Sequence, residues 1–299
     1  MPNMNLRLIK DKIARNTMMG LSLFSILVLL LIGVVLFVYS LPTFTDNNTF
    51  KLLFTSTWKP FKGEFGFGTF IYSTLYVTFI AIILSFPPAI LCALYMSEYA
   101  SATVRRIFSP VIDLLSGIPP VIYGVWGTLT IVPFISEKLA PHFVDFSTGY
   151  SVLAGGVVLA IMILPLIVSI LIEVFTAIPA EIREASLSLG ATKWQTVKKV
   201  IVKKSLPGII ATVVLAVSRA FGETIAVLMV CGNFTDIPKS IFDACYPLPA
   251  LIANNYGEMM SIPGYESALM FAAFLLFIII VIFNAISRII LLRIKKQSV

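Results

Sequence analysis

Apolar residues run along this chain in six blocks, each about the length a helix needs to cross a bilayer. They are Met18–Leu41, Phe70–Met96, Phe108–Ile135, Val152–Ile172, Ile209–Val230 and Ala268–Leu292. About 20 residues cover the ~30 Å of hydrocarbon, and within it a single segment satisfies its own backbone only as a helix. The third block is interrupted by Gly117, Pro119 and Pro120. Between the fourth and fifth lies Pro179–Gly208, which is polar and basic yet patterned as helix. Pro179 suits a first helical turn, and Glu181 suits the positive end of the helix dipole. Ile182, Ala185 and Leu189 follow at helical spacing, and Gly190 is placed to close the helix. Thr192 and Gln195 make a capping-box pattern for a second helix, with Trp194, Val197 and Ile201 on one face. Lys198, Lys199, Lys203 and Lys204 lie elsewhere on it, and Pro207 is expected to end it. Two short amphipathic helices joined at a glycine between membrane spans form a docking surface for another protein.

Composition agrees with the pattern. The 299 residues are 58% hydrophobic and 12% charged, with a mean hydropathy of +0.97, outside the range of soluble domains. The fold class expected is an all-α membrane protein of six transmembrane helices. Its parts are a basic tail over residues 1–17, a first span over 18–41, a core over 69–292 and a basic tail over 293–299. The core holds five spans and the loop 179–208. If the N-terminus is cytoplasmic, sixteen of the 22 basic residues fall on that side, so both termini are expected inside. The formal charge of +7 follows from that bias, with some attraction to anionic lipid, and requires no nucleic acid. The first apolar run is about 24 residues, against ~7–15 for a cleavable signal, which favours an uncleaved helix. The longest outer connection, about Gly232 to Ser267, contains an apolar patch, Leu248–Ile252, expected as a short helix lying over the spans.

Candidate chemistry is sparse. Arg219 lies about a dozen residues past Pro207, roughly 18 Å up the fifth span. An arginine there costs at least ~2.5–3.5 kcal/mol on insertion scales and must face protein or water. Its planar fork matches oxyanion oxygens. Three roles stand open: direct contact with a transported anion, a fixed ion pair with Glu223 at i+4, or a gate. Glu223 would then modulate release or hold Arg219 in position. In the third span, Ser116-Gly117-Ile118-Pro119-Pro120 loses two backbone donors. Ser116 is placed to cap the restarting helix, where free N–H groups attract anions. Ser116 and Gly117 either face Arg219 across the path and share an oxyanion, or mark a packing kink. Asp113 reads as an interfacial charge and Pro165 as a kink. The single histidine, His142, leaves no metal cluster, and the chain contains no Gly-x4-Gly-Lys-[Ser/Thr] phosphate loop. No cofactor is expected. Cys231 and Cys245 are read as either a disulfide or two free thiols.

The run Glu184-Ala185-Ser186, three residues, Gly190, then Leu206-Pro207 resembles the cytoplasmic loop of permease subunits in binding-protein-dependent ABC importers. It departs from that loop at Ser186, which replaces an alanine, and at Val202-Lys203, where the family commonly has Leu-Pro. Gly117-Ile118-Pro119-Pro120-Val121-Ile122-Tyr123-Gly124-Val125-Trp126-Gly127, Arg219-Ala220-Phe221-Gly222-Glu223-Thr224 and Ile252-Ala253-Asn254 are similar to segments of the phosphate importers, particularly their C-type subunit. The resemblance implies a type I importer permease fold in the cytoplasmic (inner) membrane. Glu184, Ala185, Ser186 and Gly190 would couple to the ATPase, while Arg219, Glu223, Ser116 and Gly117 would line the anion path. The implied partners are a second permease in a heterodimer, a dimer of ATP-binding subunits and an extracytoplasmic phosphate-binding protein. Rival readings are a permease for sulfate, molybdate or tungstate, a proton-coupled secondary transporter or channel, and a sensory scaffold.

Overall fold

A computed structural model of the chain describes residues 2–46, 49–257, 262 and 264–297, so the extreme ends of the two basic tails lie outside the described residues. The long helices are α1 (Pro2–Asp46), α3 (Gly68–Tyr99), α6 (Val152–Thr176) and α12 (Tyr265–Gln297). Each contains a stretch long and apolar enough to cross a membrane. Shorter helices complete the chain: α2 (Thr49–Phe54), α4 (Ala102–Ser116), α5 (Pro120–His142), α7 (Ala180–Ser188) and α8 (Lys193–Lys204). They are followed by α9 (Leu206–Phe221), α10 (Ile225–Val230) and α11 (Leu248–Asn255).

Two of the six anticipated crossings are not single straight helices. The third is the pair α4 and α5, bent by 88° where Pro119 precedes the proline at α5's first position. The fifth ends its first helix at Phe221 and restarts at Ile225, because Gly222-Glu223-Thr224 leaves the helical ladder. Gly222 N–H turns back to the Arg219 carbonyl at 3.2 Å, closing α9 tightly. Pro207 does not end α8, which stops at Lys204; it sits in the first turn of α9, where its missing N–H is harmless. The bend between these two helices is 65°.

The core is the seam between α3 and α6, which small residues allow to close. A Cβ on Gly156 would meet Ile80 Cγ2 at 2.4 Å, and one on Gly155 would meet Cys231 Sγ at 2.4 Å. Ala81, Ser85, Ala89 and Ala93 on α3 are buried along the same helix. Close approach of small residues is how helices gain dispersion in lipid, where apolar side chains win nothing by leaving water. Glycines of the Tyr-Gly-Val-Trp-Gly run serve the same purpose: Gly124 abuts Ala226 and Met229 of α10, and Gly127 abuts Val158 of α6.

At the Trp58 end, a short antiparallel pairing of Trp58–Lys59 with Glu64–Phe65 lays Trp58 against Phe65, Phe67, Phe70 and Tyr265. The anticipated helix near Leu248 is present as α11. Its first N–H, on Leu248, is held by Thr74 Oγ1 of α3 at 2.9 Å. In contrast, α1 touches the bundle along one ridge. Gly33 makes room for Phe277, Phe37 meets Phe274, Phe44 meets Phe271, and Thr43 bonds Ser267 at 3.0 Å. Its remaining apolar residues from Met18 to Leu31 are exposed.

Gly156→Leu is expected to destabilise the fold by about 1–3 kcal/mol through overpacking of the seam. Gly20→Ala, at an α1 position with nothing within 4 Å, should not. Thermal unfolding of the purified protein in detergent compares the two.

Candidate functional site

Three groups of residues carry the anticipated chemistry: the α7–α8 hairpin, the elbow between α4 and α5, and the break between α9 and α10. The hairpin forms as its sequence pattern requires. Thr192 Oγ1 accepts from Gln195 N–H at 3.2 Å and Gln195 Oε1 accepts from Thr192 N–H at 2.9 Å, completing the capping box. Gly190 takes φ +81°, a left-handed conformation that glycine adopts without strain. Ser186 is more than a small replacement for alanine. Its hydroxyl shares a 2.9 Å hydrogen bond with Thr196 Oγ1 and staples α7 to α8.

The buried side of the hairpin is Thr196, Val197 and Ile201, with Ile182 half-buried. Trp194, expected on that face, is instead 57% exposed, and Leu189 is 89% exposed. Helical spacing placed both on the inner stripes. Leu189 closes α7 and Trp194 lies in the first turn of α8, on either side of the Gly190 turn, and both are left uncovered, as are Leu187, Glu184 and Ala185. An apolar knob ringed by charge is thereby presented away from the bundle.

Sequence reasoning missed what holds this hairpin in place. Arg183 Nη2 lies 2.7 Å from Glu98 Oε1, and Nε is 3.2 Å from both carboxylate oxygens. The same guanidinium donates to the Ile178 carbonyl at 2.5 Å and the Phe175 carbonyl at 2.8 Å, the open end of α6. One side chain thus satisfies orphan carbonyls of one helix and the carboxylate at the end of another. The only signal in the sequence was a glutamate two residues past the apolar run of α3.

At the elbow, Ser116 is the last residue of α4 and not the cap of α5; the capping position belongs to Pro119, which has no side-chain hydroxyl to offer. Gly117 N–H returns to the Asp113 and Leu114 carbonyls, both at 3.1 Å. Tyr123 Oη donates to the Leu115 carbonyl at 2.9 Å and pins α5 across the bend. Asp113, Leu114, Gly117 and Pro119 line an open depression of about 680 Å³ at this bend.

At the break, Arg219 is exposed and makes no ion pair among the described residues. Glu223 is not its partner, because the helix stops between them and the i+4 relation is lost. The Glu223 carboxylate accepts the Ala226 N–H at 3.2 Å and borders a small gap beside Thr74, Thr78 and Pro249. The arginine opens to the surface while the glutamate turns inward. Gly124 of α5 abuts Ala226 and Met229 of α10, and Thr128 Oγ1 donates to the Met229 carbonyl at 3.1 Å, so the elbow and the break are neighbours through α5. Arg219 is not among the residues lining the elbow depression. Cys231 and Cys245 are buried free thiols whose backbones are joined by a 2.8 Å hydrogen bond.

A bundle of bent and straight apolar helices that carries a polar two-helix hairpin between two of its crossings has the architecture of a membrane permease. The sequence matches the family described as binding-protein-dependent transport system inner membrane component over residues 89–296, and the chain belongs to that family. It is 31% identical over 291 residues to the phosphate transport system permease protein PstC of Pasteurella multocida (strain Pm70), covering 92% of this chain and 90% of that one. It is 38% identical over 231 residues to the probable ABC transporter permease protein YqgH of Bacillus subtilis (strain 168), covering 76% and 73%. Among solved structures, a chain of the MetNI methionine ABC transporter in an inward-facing conformation superposes with a TM-score of 0.59. That match has 21% identity and covers 75% of this chain and 94% of the other, which shows the common fold. The protein is therefore a multi-pass inner-membrane permease of an importer served by a binding protein and an ATP-binding subunit. It is not itself an enzyme; ATP hydrolysis belongs to the separate subunit.

Ser186→Ala is expected to cost about 1–3 kcal/mol, because it orphans the buried Thr196 hydroxyl. Adding Thr196→Val should recover most of the loss. Limited proteolysis within residues 186–196, alongside thermal unfolding, reads both effects.

Proposed function

We propose that the chain is the C-type permease subunit of an ATP-driven importer of inorganic phosphate. The observation that carries this reading is Arg219, a guanidinium at the interrupted fifth crossing with no carboxylate partner among the described residues. A lone cation at such depth is costly unless water or an anion meets it. A tetrahedral oxyanion offers paired acceptor oxygens that fit the guanidinium fork. The permeases named for phosphate transport, similar over nearly the whole chain, support phosphate as that anion.

In this reading both termini and the α7–α8 hairpin are cytoplasmic. Glu184, Ala185, Ser186 and Gly190 form the coupling surface, and the exposed Leu189 and Trp194 enter the ATP-binding subunit. A second permease completes a heterodimer, since six crossings form half a path. A dimer of ATP-binding subunits works inside, and a phosphate-binding protein delivers substrate from outside. Closure of the ATPase dimer displaces the hairpin and opens the path outward, and hydrolysis resets it. Arg219 receives the anion. Glu223, held on the Ala226 N–H, keeps its charge turned from the path and so does not repel the cargo. Ser116 and Gly117 line the path at the elbow, on the other side of Tyr123.

The test is ATP-dependent uptake of radiolabelled phosphate by the complete complex in proteoliposomes. Arg219→Ala is expected to lower uptake about ten- to a hundredfold, the loss of one charged hydrogen-bonding group worth ~1.5–3 kcal/mol. Arg219→Lys should keep part of it. Uptake driven by a pH gradient alone would reject the reading, and competition by sulfate or molybdate with no phosphate uptake would reassign the cargo. In the same assay, Glu184→Lys is expected to insert normally while ATP hydrolysis no longer drives uptake.

A further inference from the structure

The last turn of α3, Tyr95–Tyr99, gathers cationic side chains from three other helices. Arg183 of α7 forks onto Glu98 with its shortest contact at 2.7 Å. Arg105 of α4 donates from Nη2 to the Ser97 carbonyl at 2.6 Å. Lys193, the first residue of α8, places its ammonium 4.6 Å above the centre of the Tyr99 ring. The turn itself is widened, with Ala100 N–H reaching back to the Tyr95 carbonyl at 2.8 Å. Its carbonyls are the negative end of a helix dipole, and Glu98 adds a carboxylate whose side chain is only 8% exposed. Partial charge, full charge and an aromatic face draw the three cations to one place.

The geometry points to a role for this turn beyond cohesion: we propose that Glu98 is a positioning residue for transport, transmitting movement of the α7–α8 hairpin to α4 and the elbow. The proposal rests on the importer reading above. Both helices of the docking hairpin reach this turn, through Arg183 and Lys193, and so does the start of α4, through Arg105. No α4 residue is fully buried; the helix lies on the surface of the bundle with Ile112 half-buried against the core, between two polar fastenings. Those are Arg105 on the Ser97 carbonyl and the Leu115 carbonyl on Tyr123. Fifteen residues at 1.5 Å make α4 an arm about 22 Å long, so a rotation of about 5° at the turn moves its far end about 2 Å. That far end is Ser116-Gly117, next to Tyr123 of α5, the helix that packs on the break through Gly124 and Ala226. A wide turn suits the hinge, because its hydrogen bonds readjust at less cost than a regular helical turn.

Glu98→Gln keeps the volume of the side chain and removes its charge. In the complete complex in proteoliposomes, ATP hydrolysis should stay within about twofold of wild type, because the docking surface at Leu189 and Trp194 is untouched. Phosphate uptake per ATP hydrolysed should fall at least about tenfold, with Glu98→Asp recovering part. Spin labels on α4 and α8 should show an ATP-dependent distance change in the wild type that Glu98→Gln loses. Equal uptake per ATP in wild type and Glu98→Gln overturns the proposal. So does a parallel loss of hydrolysis, uptake and complex yield, which is the mark of a purely structural contact. Absence of ATP-dependent uptake in the wild-type complex would instead overturn the importer reading, and this proposal with it.

Discussion

The Arg183 guanidinium closes two helices at once, and the arrangement of the whole hairpin end follows from that. Helices α3 and α6 form the main seam of the bundle, and each ends with carbonyls that its own ladder leaves unsatisfied. Arg183 meets the Phe175 and Ile178 carbonyls with one side of its fork and Glu98 with the other. A solvent-exposed pair of this type is worth ~0–1 kcal/mol. Here the carboxylate is nearly enclosed and the guanidinium has further fixed partners, so loss of either residue would leave a buried charge and open helix ends. Arg183 fastens the α7–α8 hairpin to the bundle together with the buried Val197 and Ile201 and the Lys193 ammonium on the Tyr99 ring.

Interruptions of the apolar helices occur where polar function is concentrated, and each has an identifiable local cause. At the elbow, Pro119 and Pro120 remove donors, and the Tyr123 hydroxyl satisfies the Leu115 carbonyl that Pro119 cannot serve. At the break, Gly222 ends α9 and the Glu223 carboxylate caps the short helix that follows. This second arrangement separates two opposite charges that an unbroken helix would have paired. The guanidinium is left exposed and without an ion pair among the described residues, while the carboxylate is engaged by the Ala226 N–H.

Glycines in the apolar segments have two distinct uses. Gly155 and Gly156 bring α6 against α3 and α10, while Gly124 and Gly127 bring α5 against α10 and α6. The second pair matters to the site, since through it the elbow lies against the break. Gly190 has no neighbour within 4 Å and is required for its left-handed backbone alone.

The apolar blocks determined the helical class and the crossings. The proline, glycine and capping residues of 179–208 determined the two docking helices, because these signals act within a few residues of chain. The resemblance carried by Glu184 to Gly190 and by Arg219 to Thr224 pointed to the family that the comparisons show. Tertiary structure decided what local rules cannot reach. Trp194 and Leu189 share spacing with buried residues, yet both are left uncovered on either side of the turn between the helices. Arg219 and Glu223 stand at i+4 in the sequence, but that spacing brings side chains together only while the helix is continuous. Glu98 and Arg183 are 85 residues apart, and Arg105, Lys193 and Arg183 belong to three different helices. Their convergence on one turn of α3 depends on how whole helices pack, which the order of residues along any one of them does not encode locally.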